Sequence, residues 1–157
     1  MNRRGPVVLA ASLLAASAFI VSTVEAAPPA GPTSIVAGSY RYTTFTGGHR
    51  SASIAAVATP SVKGVWSFGT HRGTVTCLVV DGQDAWLAGP GTSGPESGVF
   101  MHVHDGGTPG TEDDLVTSWG QDPGQPFAEL VDWCETKAEH VPLFKVDSGN
   151  VTVKVLP

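Results

Sequence analysis

Basic residues are scarce in this chain: nine Lys and Arg stand against fourteen Asp and Glu in 157 residues. That balance withholds the basic patch that nucleic acid or an anionic membrane surface requires, so no nucleic-acid partner is expected. Cysteine is nearly missing. Only Cys77 and Cys134 are present, which allows a single intramolecular bridge. No apolar run beyond residue 24 approaches the roughly 20 residues of a membrane helix. Nucleophile-elbow and phosphate-loop patterns are absent, as is any convincing internal repeat. No catalytic residue is therefore assigned and no cofactor is expected.

An export leader is what the N-terminus offers. Arg3 and Arg4 precede an apolar run over residues 7–24, and Val24-Glu25-Ala26 fits the small-x-small cleavage pattern. Residues 1–27 are thus predicted to be a signal peptide. The alternative is an N-terminal membrane anchor, for which the run is barely long enough. No cysteine follows the run to carry a lipid. Removing Arg3, Arg4 and Glu25 leaves seven basic and thirteen acidic residues, a mildly acidic and soluble remainder. About 130 residues suffice for one domain. The Pro- and Gly-containing segment 28–37 is predicted to be a flexible linker, and 38–157 a single β-domain, expected to be a monomer. In an exporting compartment disulfides persist, so a Cys77–Cys134 bridge is predicted. Two buried thiols or a bridge between chains are the alternatives.

The stretch 73–106 organises the rest. β-branched residues over 74–80 alternate in direction, and Asp81-Gly82-Gln83-Asp84 supplies a tight turn before Ala85, Trp86 and Leu87 return. Segments 38–45, 51–59, 64–70, 99–104 and 115–119 read as further strands. Residues 71–73 read as a turn and 89–98 as a loop. A closing hairpin is predicted over 141–155, with its turn at 147–150. Helical spacing occurs once, at Phe127, Leu130, Val131 and Cys134 after Pro126. The pattern predicts an all-β fold, an antiparallel sandwich or barrel of about eight strands with at most one short helix.

The runs GTVTCLVVDGQDAWLAG and GVFMHVHDGGTPGTEDD, with the ending GNVTVKV, resemble a group of small secreted β-domain proteins of actinomycete-type bacteria. The resemblance covers most of the chain after the leader, and its detailed pattern lies in 73–114. It implies a fold family rather than a reaction and brings no catalytic residues.

Two places carry candidate chemistry. His102 and His104, two apart on a strand, set both imidazoles on one face, and Asp105 follows; zinc or copper accepts such ligands, with His49 or His71 as further candidates. The alternative is that Val99, Met101 and Val103 face the core, leaving Phe100, His102 and His104 in solvent. Asp105, Glu112, Asp113 and Asp114 gather carboxylates among glycines, as a calcium loop does, though without EF-hand spacing. The alternative there is a solvated turn. The four tryptophans, with Tyr40 and Tyr42, suit either a core or a stacking surface. The leading expectation is a secreted, non-catalytic β-domain with an extracellular or cell-envelope role, acting in binding or structure. A metal-binding protein or metal-dependent enzyme centred on His102 and His104 is one alternative, and a small-ligand-binding barrel is another.

Overall fold

The computed structural model describes residues 31–93, 98–107, 113–122, 124–139 and 142–157. The predicted leader, residues 1–27, lies outside them, as does Glu112. Among the described residues nine strands and one helix follow in order: β1 Thr33–Thr43, β2 His49–Thr59, β3 Ser61–Phe68, β4 His71–Thr74, β5 Cys77–Asp81, β6 Asp84–Ser93, β7 Gly98–His104, β8 Leu115–Gly120, α1 Phe127–Glu135 and β9 Phe144–Leu156.

All pairings are antiparallel, and they run β4-β3-β2-β1-β9-β8-β7-β6-β5. A further pairing of β4 with β6 closes eight of these strands into a barrel and leaves β5 as the extra strand. Between the two architectures left open by the strand pattern, the closed barrel is the one formed. The long strand β6 makes closure possible. Its first half pairs with β5, from Asp81↔Asp84 to Cys77↔Ala88, and its far end with β4, at Arg72↔Ser93 and Gly73↔Gly91.

Period-2 alternation selects the barrel interior. Val36, Tyr40 and Tyr42 of β1, Ala52, Ile54 and Ala56 of β2, and Trp66 and Phe68 of β3 point inward. Leu87, Val99, Met101, Val103, Val116 and Val146 complete the packed centre. A second, smaller core lies outside the barrel wall. There Trp86, Ala88 and Phe100 meet Leu130 and Cys134 of α1, and the Cys77–Cys134 disulfide ties that helix to β5. Pro126 precedes the helix and Lys137, at φ 56°, follows its end. At nine residues the helix is too short to persist alone, so packing and the disulfide hold it.

Several expectations are corrected. The predicted linker 28–37 is strand from Thr33 onward, because Thr33–Ala37 pair with β9 and Ser34–Ala37 also pair with β2. Residues 71–73 are strand β4, and the turn lies earlier, at Gly69 with φ 60°. Residues 89–93, read as loop, continue β6. The closing hairpin is instead one strand, β9, thirteen residues long. Asp147 is the extra residue of a bulge opposite Arg41 and Tyr42, and Gly149, at φ 105°, pairs with Tyr40. A Cβ on Gly149 would strike the backbone of Ser39 and Tyr40, so the glycine serves close strand approach rather than a turn. The hairpin β5–β6 forms as expected, with Gly82 at φ 61° in its turn.

Candidate functional site

His102 and His104 do converge, but on a different partner from the one expected. In the β6–β7 ladder Asp84 lies opposite His104, and Trp86 opposite His102. Cross-strand neighbours share a face, so one carboxylate reaches both rings. Asp84 Oδ1 accepts from His102 Nε2 at 3.0 Å and from His104 Nδ1 at 3.1 Å. A carboxylate oxygen only accepts, so each imidazole presents an N–H to it. Among the described residues His102 Nδ1 is then left as a buried lone pair without a partner, and the Trp86 indole N–H is likewise unpaired. The two rings stack at 4.5 Å between centroids, tilted by 19°. A hollow of about 350 Å³ opens beside them, lined by Asp84, Trp86, His102, Glu139, Pro142 and Leu143.

His102 is 5% exposed and Phe100 fully buried, against the expectation that their face of β7 meets solvent. Helix α1 covers Phe100, and Trp86 covers His102. Burial pushes the His102 imidazole below its ordinary value of 6.5, a shift that hydrogen bonding to Asp84 and the nearby Asp84 and Glu139 charges oppose and His104 reinforces. The folded state therefore resists a proton that the unfolded chain accepts near pH 6.5. Stability is held above that value and lost as pH falls through the lowered folded value. The melting temperature is expected to fall between pH 7 and pH 5, with a shallower fall in His102→Gln. An equal slope in both proteins, followed by circular dichroism, would assign the pH dependence elsewhere.

Asp105 does not join the histidines. Its Oδ1 accepts from Gly107 N at 2.8 Å and its Oδ2 from Val153 N at 2.9 Å. Asp114, 1% exposed, accepts from Gly106 N at 3.0 Å and Val151 N at 2.9 Å. These charge-assisted bonds offset the cost of burying a carboxylate and clip the acidic turn onto β9. Asp113 is exposed, close to Gly106. Of the expected calcium carboxylates, Asp105 and Asp114 thus clamp backbone and Asp113 is exposed. His49 bonds Thr43 Oγ1 through Nδ1 at 3.0 Å, and His71 stands in β4. Among the described residues no set of three or more His, Cys, Asp or Glu side chains is arranged to hold a metal ion.

The larger opening lies at the barrel's end. Strand β8 pairs with β9 at Leu115↔Lys145 and Val116↔Phe144, and because β9 begins at Phe144, β8 runs on past its end. A cavity of about 770 Å³ occupies the gap and the adjoining mouth. Its walls are the rings of Tyr42, Phe45, Phe68, Trp119 and Phe144, with Arg50, Thr117, Ser118, Gln121 and Asp122 among the polar groups. Phe144 stacks on Tyr42 at 5.4 Å and meets Phe45 at 4.8 Å. Phe45 is 82% exposed and Trp119 41% exposed, whereas Tyr40, Tyr42, Trp66 and Phe68 are buried. Below them the Tyr42 hydroxyl donates to Ser118 O at 3.4 Å, and Tyr40 shares a 3.3 Å hydrogen bond with Ser118 Oγ. Burial raises both phenols above their ordinary range, so they remain neutral donors.

Sequence reasoning did not single out Asp84 or Arg50. Asp84 required the register of β6 against β7. Arg50 was open to detection, because it continues the inward parity of Ala52, Ile54 and Ala56, where a charge is out of place. Comparison with known proteins finds no matching family model, no matching curated protein and no matching solved structure.

Proposed function

We propose that this chain is an exported, non-catalytic binding module that holds one small apolar molecule in the opening between β8 and β9. The observation that carries the reading is the cavity itself: about 770 Å³, walled by five aromatic rings, at the mouth of a closed eight-stranded barrel. Pockets for small organic ligands fall in that range of size and lining, and barrel mouths are a preferred place for them. Gln121, which lines the cavity, keeps its side-chain oxygen buried without a partner among the described residues, an acceptor that a ligand or water could satisfy. The leader-like N-terminus and the single disulfide support export. Among the described residues no helix is long and apolar enough to cross a membrane.

The test is an NMR titration of the purified protein with 2-naphthylmethanol, a neutral two-ring probe. Saturable one-to-one shifts clustered on the cavity residues, among them Phe45, Phe144 and Thr117 to Gln121, are expected. The double variant Phe45→Ala, Trp119→Ala keeps the barrel core and is expected to weaken binding about tenfold, as loss of two aromatic contacts implies. Shifts scattered over the surface, or none at millimolar probe, would overturn the reading.

A further inference from the structure

We infer that the cavity selects an anion: a flat apolar body carrying one carboxylate or similar group, held by Arg50. The inference rests on the barrel-mouth reading and adds the chemical class of the ligand.

Three observations converge on Arg50. The first is register. Arg50 lies directly opposite Tyr42 in the β1–β2 ladder and shares the parity of Ala52, Ile54 and Ala56, all of which face the interior. Alternation thus sends a guanidinium toward the barrel mouth rather than outward. The second is its setting. The guanidinium carbon lies 5.7 Å from the centroid of the inward-facing Phe68 ring, a cation–π contact that orients the fork without consuming its N–H donors. The third is the absence of a counter-charge. Among the described residues Arg50 makes no ion pair, in a chain where acidic residues outnumber basic ones. Asp122, the one carboxylate among the described residues that line the cavity, does not pair with it.

An aromatic wall with a single unpaired arginine complements a ligand that is flat at one end and anionic at the other. The guanidinium can grip a carboxylate with two parallel N–H donors, and the rings supply the apolar contact. Asp122 opposes an anion by simple repulsion.

A matched pair of probes separates the two layers of the claim: 2-naphthoate and 2-naphthylmethanol, which share the ring body and differ in charge. Titrations at low salt are expected to show 2-naphthoate bound about tenfold more tightly, a preference that shrinks at high salt. Arg50→Gln should abolish the preference, bringing the 2-naphthoate affinity down to that of 2-naphthylmethanol in the same variant, and Asp122→Asn should widen the preference. Both substitutions lie on exposed side chains, and circular dichroism checks that the barrel persists. If both probes bind wild type equally and Arg50→Gln changes neither, the cavity stands and anion selection is refuted. If neither probe binds, the barrel-mouth reading itself fails.

Discussion

Replacing Cys77 and Cys134 together by serine is expected to lower the unfolding free energy by about 4 kcal/mol. The two cysteines are 57 residues apart in sequence, and closing a loop of that length removes about this much free energy from the unfolded chain in the chain-entropy model. Against a total of roughly 5–15 kcal/mol for an ordinary domain, that is a large share. The loss should also be local in character. The bridge holds α1 over Phe100 and Trp86, and a nine-residue helix has little stability of its own. Urea unfolding should show the midpoint shifted down. Hydrogen exchange should show α1 losing protection before the barrel strands do. A change below about 1 kcal/mol would mean that the contacts of Leu130, Trp133 and Phe100 hold the helix without the bridge.

The second large effect concerns barrel closure. Gly89→Ala is expected to cost about 3 kcal/mol or more, at the upper end for overpacking substitutions. A Cβ at Gly89 would meet the carbonyl oxygen of Thr74, and one at Gly73 would meet Pro90 O and the Trp66 ring. These neighbours are backbone and a buried indole, which cannot swing aside as a surface side chain would. Both glycines lie where β4 approaches β6, the contact that turns an open sheet into a barrel. Gly31→Ala, with nothing near its added methyl group, is the control and should be neutral. Thermal unfolding of the two variants checks the difference. Equal melting temperatures would show that the seam has room to relax.

Much of the strand content was legible because each face of a barrel wall meets a different environment. Tyr40 and Tyr42, or Ala52, Ile54 and Ala56, repeat every second residue and went inward as a set. Turn chemistry was less dependable. Gly82 made the tight turn it suggested, whereas Gly89 and Gly149 proved to be points of close strand contact inside β6 and β9. A glycine records that a side chain is excluded, and not whether φ or a neighbouring strand excludes it. The face of Phe100 and His102 was misjudged for a related reason. Strand parity identifies two faces but is silent on a helix arriving later in the chain to cover the second.

By itself the amino-acid order determined that this is a β-strand protein with one short helix and a possible single bridge, because those properties follow from local periodicity and from a count of two. Strand register, closure of the wall and the meeting of Asp84 with His102 and His104 were decided only by the folded chain. So was the turning of Arg50 toward the mouth beside Phe68. Each depends on which backbone lies next to which, and partners tens of residues apart leave no mark on one another's local pattern.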